Sequence, residues 1–335
     1  MRTSLLFFVF LLLTANTLLG QDEVTDLVKE GIALHDEGKY DEAIAIYEKA
    51  LALDPKSALV HYELGYSYYA KGDYQKALKY TDFVLKQGDQ FVLDCYILKG
   101  NALDNMGKGK KAIKVYEKAL EQFPEEYLLS YNLALSLYNQ RILDQAEENL
   151  VNAIYSNLAH SSSHVLLAQI QIEKGERIPA VLSLFFFLLV EPVSSRAESS
   201  YEQLIKQMQK GVQKEDDQNI NINLSLGDVQ GDFSAAELML SLSEASKYTD
   251  ENKDKTEEEL FVKRTETLIT VLDGMKEGKS GIWWELYIDF YSRVQQAEHL
   301  ETFCYMISQV KGETVTKWLD EHPEKVEAFL KWLEE

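Results

Sequence analysis

His160 and His164 stand four apart in "HSSSH", a spacing that puts two imidazoles on one face of a helix. Two imidazoles begin a metal site, but a zinc-type centre needs a third protein ligand, and no residue nearby offers itself convincingly as one. Cys95 and Cys304 are the chain's two cysteines, with no CxxC or zinc-type spacing. They either bridge the two halves of the chain or stay as buried thiols, since cysteine packs as a small hydrophobe. Glu285 and Asp289, again four apart, lie in the aromatic stretch "GIWWELYIDFYSRV". They suit an acid-lined saccharide cleft, and they suit a plain helix surface equally well. No HExxH or GxSxG motif occurs, and the glycines fall in helix turns rather than in a strand-to-helix phosphate cradle. These residues assign no catalytic group, no metal and no cofactor. An enzyme or saccharide-binding protein remains the alternative reading, placed at the aromatic C-terminal segment.

Composition narrows the partners. The 335 residues are long enough for two domains, and 46% hydrophobic side chains supply a core. With 55 acidic against 34 basic side chains the net charge is −21. Such a balance argues against nucleic acid, whose phosphates demand Lys and Arg, and against a polybasic grip on anionic lipid. The opening "MRTSLLFFVFLLLTANTLLGQ" has one Arg, an apolar run from Leu5 to Leu13, and small or polar residues after it. It reads as a secretory signal peptide cleaved after Gly20, and the run is too short for a membrane span, which needs about 20 residues. The expected mature protein, exported to a periplasm or secreted, loses Arg2 and carries −22 in place of −21. After signal removal no membrane span is expected.

The elements that position these residues repeat. Gly31, Gly65, Gly100, Ala134 and Ala168 are spaced 34, 35, 34 and 34 residues apart, as are Ala43, Ala77, Ala112, Ala146 and Ala180. A third column is Ala50, Val84, Ala119, Ala153 and Phe187; a fourth is Pro55, Asp89, Pro124, Leu158 and Pro192; Gly38, Gly72, Gly107 and Gly175 mark a turn. One extra residue falls near Gly88 to Val92. With its small, aromatic and proline positions in register, "VTDLVKEGIALHDEGKYDEAIAIYEKALALDPKS", residues 24–57, resembles the tetratricopeptide repeat family. Further units lie near 58–91, 93–126, 127–160 and 161–194. The fourth lacks the turn glycine and the closing proline, and the family's tryptophan-like position holds Leu27, His61, Tyr96, Ser130 and His164. The resemblance implies an all-α protein: a right-handed α–α superhelix of about five helix pairs over 21–194, stacked because one pair cannot bury its own apolar face.

"IPAVLSLFFFLLV", Ile178 to Val190, is the second helix of the fifth unit, with only Ser183 polar. A thirteen-residue helix reaches about 20 Å, short of a bilayer core. Apolar on every side, it must be covered by the chain downstream of it. A helix and polar loop are expected over 195–219, then a helical capping domain over 220–335. The alternating residues from Ile220 to Leu226 are an extended segment with no evident strand partner. Thr256 and Glu259 form a capping box, and Pro323 breaks the last helices. All four tryptophans, Trp283, Trp284, Trp318 and Trp332, lie in this half, as a core or as a binding surface.

The resemblance also implies a groove lined by the first helix of each unit, which in this family holds an extended peptide or a helix of a protein partner. Mapped onto this chain, its candidate residues are Tyr62, Tyr66, Tyr69, Asn101, Asp104, Asn105, Tyr131, Tyr138 and Asn139, with His35 and Asp36 ahead of them. No Lys or Arg occurs among the mapped positions, so a basic clamp on a terminal carboxylate is not supported. Tyrosine offers apolar area with a polar tip, and asparagine both donates and accepts. The helical spacing of Tyr62, Tyr66 and Tyr69 equally suits a packed stripe. The expectation is a non-catalytic scaffold, in envelope assembly or secretion by resemblance alone.

Overall fold

The computed structural model describes residues 22–88, 90–215, 219–223 and 231–335. The expected leader and part of the alternating segment, Leu224 to Leu226, lie outside them. The chain divides into two compact units, one ending at Ser156 and one starting at Asn157, so the fifth helix pair belongs to the second unit.

The first unit is four helix pairs: α1 (22–36) with α2 (Tyr40–Leu53), α3 (Ala58–Ala70) with α4 (Tyr74–Gln87), α5 (Val92–Asn105) with α6 (Gly109–Leu120), and α7 (Tyr127–Asn139) with α8 (Leu143–Ser156). From α2 onward, each helix packs on the next. The turn glycines Gly38, Gly72 and Gly107 have φ of +75°, +87° and +70°, the left-handed backbone that closes a helix without a Cβ clash. In the fourth pair Arg141 takes the same conformation, φ +63°, where glycine is missing.

The small-residue columns do what close helix approach requires. Ala43, Ala77, Ala112 and Ala146 have no exposed surface. Gly31 and Gly100 lie directly under the rings of Tyr47 and Tyr116, closer than any real Cβ comes, whereas a Cβ on Gly65 would meet Leu98 and Thr81 at an ordinary 3.4 Å. Gly100→Ala is therefore expected to lose about 1–3 kcal/mol through overpacking. Gly65→Ala should instead gain up to about 1 kcal/mol from helix propensity. Urea midpoints of the two variants check this, and equal shifts would refute it.

The second unit is built around α10 (Arg177–Val190), in which every residue from Arg177 to Leu188 is buried. Its partners are α9 (Ser161–Lys174), α11 (Ser195–Gln209), α12 (Ser234–Ala245), α13 (Glu257–Met275), α14 (Asp289–Gln296) and α15 (Leu300–Ile307). The Phe185 ring meets Phe261, Tyr291 and Phe303 edge to face at 6.3, 5.7 and 5.7 Å. Tyr291 donates its hydroxyl hydrogen to the Leu182 carbonyl at 2.8 Å. At the helix start, buried Arg177 donates to the Gln207 and Met208 carbonyls and to Ser241 at 2.7, 2.9 and 2.8 Å, completing the C-terminus of α11. The downstream half thus covers the apolar helix. Among the described residues no helix is long and apolar enough to cross a membrane.

Two local features differ from the sequence expectation. The alternating segment has a partner: β2 (Ile220–Ile222) pairs antiparallel with β1 (Val212–Lys214), Val212 opposite Ile222. "VQK" reads as polar loop because its side chains stay outside the core. Trp283–Ile288 is π-helical before α14 begins. Trp284, Tyr287, Ile288 and Tyr291 along this stretch are all buried in the core. As expected, the chain breaks at Pro323, between α16 (Glu313–Glu321) and the last helix, α17 (Pro323–Glu334), which the proline itself opens, since proline at the first turn needs no amide hydrogen. The capping box is present: Glu259 N donates to Thr256 Oγ1 at 3.2 Å, and Thr256 N to Glu259 Oε2 at 2.8 Å.

Candidate functional site

In the first unit the first helices lie side by side, α3 against α5 and α5 against α7. His35 ties α1 to α3, its Nδ1 sharing a 2.7 Å hydrogen bond with Ser67 Oγ. On this face four rings stack in sequence. His35 lies on Tyr66 at 4.6 Å, Tyr66 on Tyr62 at 6.1 Å, and Tyr62 on Phe91 at 5.2 Å, with planes within 14° of parallel. Tyr66 is 42% exposed and Tyr62 half-buried, so the run is partly packed and partly open. Burial, with Asp94 and Glu63 nearby, pushes the Tyr62 hydroxyl upward, so it stays protonated at neutral pH. Phe91 was not among the mapped positions. It caps α5 with φ +65°, an uncommon conformation for a bulky residue. The extra residue near Gly88 to Val92 was the sequence signal for it.

Beside the rings is a hydrogen-bonded amide pair. Asn101 Oδ1 accepts from the Tyr116 hydroxyl at 2.6 Å, which leaves Asn101 Nδ2 to donate. Asn105 Nδ2 donates to Tyr69 Oη at 2.9 Å and to the Asn101 carbonyl at 3.0 Å, which leaves Asn105 Oδ1 to accept. A donor and an acceptor thus stand one helical turn apart. Asp104 accepts from Ser136 Oγ; burial raises its carboxyl above the usual range and that bond opposes the rise. Tyr131 and Tyr138 are half-buried on α7, and Asn139 is exposed at its end. Of the mapped residues, Tyr62 and Tyr66 share one cluster with Phe91, and Tyr69, Asn101, Asp104 and Asn105 form another; Tyr131, Tyr138 and Asn139 sit on the next first helix.

The other candidate chemistry dissolves into packing. His164 is buried, with Nε2 donating to the Leu158 carbonyl at 2.8 Å and Nδ1 accepting from the Tyr287 hydroxyl at 2.6 Å, so neither nitrogen is left for a metal. His160 Nδ1 pairs with Ser163 Oγ at 2.8 Å. Among the described residues no group of three or more His, Cys, Asp or Glu is arranged to hold a metal ion. Cys95 and Cys304 are free and buried, and burial pushes both thiols up to about 12, outside the range of a reactive thiolate. Glu285 is exposed and Asp289 stands 3.8 Å from Lys276. Trp284 is buried against Phe233 at 5.0 Å, so this tryptophan serves the core rather than a saccharide cleft.

Comparison with known proteins agrees with the helix pairs. Family profiles described as tetratricopeptide repeat match residues 97–162 and 62–86, and one described as TPR repeat matches 31–72. The human protein O-mannosyl-transferase TMTC1 is 26% identical over 154 residues, 45% of this chain and 17% of that protein. The Arabidopsis thaliana cell division cycle protein 27 homolog A is 33% identical over 93 residues, 28% of this chain and 12% of that protein. The chain therefore spans under a fifth of either relative. Among solved structures, YrrB, described as a TPR protein with an unusual peptide-binding site, is 20% identical with a TM-score of 0.44, over 56% of this chain and 97% of that one. PilW, described as a type IV pilus biogenesis factor, is 17% identical with a TM-score of 0.47, over 74% of this chain and 98% of that one. Repeat spacing, paired helices and matching profiles together identify tetratricopeptide repeats within residues 31–162 of this chain.

Proposed function

We propose that this chain is an exported, non-catalytic scaffold. Its first unit would hold an extended segment of a protein partner against the tyrosine and asparagine face of α3 and α5. The observation that carries the reading is the amide pair. Asn101 Nδ2 and Asn105 Oδ1 offer one donor and one acceptor on one face, the complement of an extended backbone's carbonyl and amide. A partner helix spends those groups internally, so an extended chain fits better. The ring run supplies apolar anchoring. The strained Phe91 backbone at its end is the kind of outlier that functional surfaces retain. Asp36, Asp94 and Asp104, with no Lys or Arg among the mapped positions, favour neutral-to-basic flanks on the ligand. Export to an envelope rests on the leader, and a role in envelope assembly or secretion goes with it.

The test is capture from an envelope extract with protein beginning at Gln21, the N-terminus expected on sequencing the exported form. Tyr66→Ala with Asn101→Ala should lower recovery of the specific partner at least tenfold, while far-UV circular dichroism stays unchanged. Equal recovery by both proteins would remove the site from this face.

A further inference from the structure

We propose a second docking surface, independent of the first unit, on the outer face of α16 and α17, with a basic amphipathic helix of a partner protein as its occupant. Helix α17 is apolar on two sides. Its inner side is spent: Phe329 has no exposed surface and Trp332 packs against Phe290, His299 and Phe329. Its outer side carries Val326, Leu330 and Leu333 at i, i+4 and i+7, with Leu330 45% and Leu333 36% exposed. Between α16 and α17, Val326 and Leu330, with Leu319 and Pro323, floor a groove of about 730 Å³, and Leu333 continues the stripe. An i, i+4, i+7 stripe about 10 Å long is what an apolar helix face needs to lie in a groove.

Charge decides the occupant. Asp320, Glu327 and Glu334 line the groove seven residues apart, against the single cation Lys331. Over 313–335 there are seven acids (Glu313, Asp320, Glu321, Glu324, Glu327, Glu334, Glu335) and three lysines (Lys317, Lys325, Lys331). Lys325 is already engaged by Glu301 at 2.7 Å. A second copy of this chain would set the same carboxylates against themselves. A helix with leucine-type residues on one face and Lys or Arg beside them meets apolar floor and acidic rim together.

The probe is a fluorescent 14-residue amidated peptide of leucine and lysine only, with leucines at helical spacing, beside a leucine–glutamate counterpart. It is titrated against the full chain. The lysine peptide should bind, and Leu330→Ala with Leu333→Ala should weaken it at least tenfold with the thermal midpoint unchanged. Asp320→Asn, Glu327→Gln and Glu334→Gln together should weaken it at least fivefold and flatten its salt dependence. Tyr62→Ala with Tyr66→Ala should leave it unaltered. Equal affinity for wild type and the double leucine variant would overturn the proposal as diffuse attraction to an acidic protein. So would equal binding of the glutamate peptide, or a dimer in sedimentation that the leucine changes dissolve.

Discussion

Phe185→Ala is expected to lower the stability of the second unit by about 3–5 kcal/mol, the cost of a large cavity in a core that cannot collapse into it. Phe185 has no exposed surface, and three rings from three different helices stand edge to face around it. None of the three can move in without leaving its own neighbours: Tyr291 is held by its hydrogen bond to the Leu182 carbonyl, and Phe303 packs on Phe329. The measurement is urea unfolding followed by tryptophan fluorescence. All four tryptophans lie between residues 283 and 332, so the signal reports this unit. Val193→Ala, at a side chain 70% exposed, should change the midpoint by less than about 0.5 kcal/mol. Similar effects from both changes would mean that α10 is not the centre of the core.

This helix was also where the sequence spoke most clearly. An apolar run too short for a bilayer, placed by the alanine and proline columns, demanded a downstream cover, and α11 to α15 provide it. The repeat columns were legible because helix approach admits only small side chains at fixed positions. The capping box was legible because it is a local pairing of side chain and backbone. What stayed hidden depended on contacts distant in the chain or on backbone choices without a residue signature. The β1 partner of Ile220–Ile222 is three residues of ordinary loop composition. The π-helical turn at Trp283 shows only as aromatics on more than one helical face. At the candidate site, tyrosine spacing fitted packing and lining equally well, and the structure divides the two roles along one stack: Tyr62 half-buried, Tyr66 open. Phe91 entered that stack only through a single-residue insertion, and the amide orientations of Asn101 and Asn105 depend on Tyr116 and Tyr69, 15 and 36 residues away from them.

Acid should destabilise the second unit through His164. Its imidazole is buried and held neutral, with Nε2–H donating to the Leu158 carbonyl and Nδ1 accepting from Tyr287. Desolvation by burial lowers its pKa from the ordinary 6.5 to about 4; the Leu158 carbonyl opposes that fall and His160 adds to it. Between pH 6.5 and about 4 the unfolded chain therefore binds more protons than the folded one at this site, so stability rises with pH there. The contribution is complete above pH 6.5, and about 3 kcal/mol of it is gone by pH 4, with no further loss below. The carboxylates titrate in the same range, so the comparison is with His164→Gln, which keeps them all. The variant should be less stable at pH 7.5, and its deficit should shrink by about 2–3 kcal/mol on going to pH 4.5. Parallel urea midpoints for the two proteins across that range would show that His164 titrates as it does in the unfolded chain. His61 occupies the same repeat column, its Nε2 3.1 Å from the Pro55 carbonyl, and burial lowers its pKa as well. What separates the two is the second nitrogen. His61 Nδ1 has no hydrogen-bond partner, while His164 Nδ1 is closed by a tyrosine 123 residues downstream. A hydroxyl from the C-terminal half thus completes a histidine that the repeat alone leaves half satisfied, which ties the acid stability of the fifth helix pair to the domain that covers it.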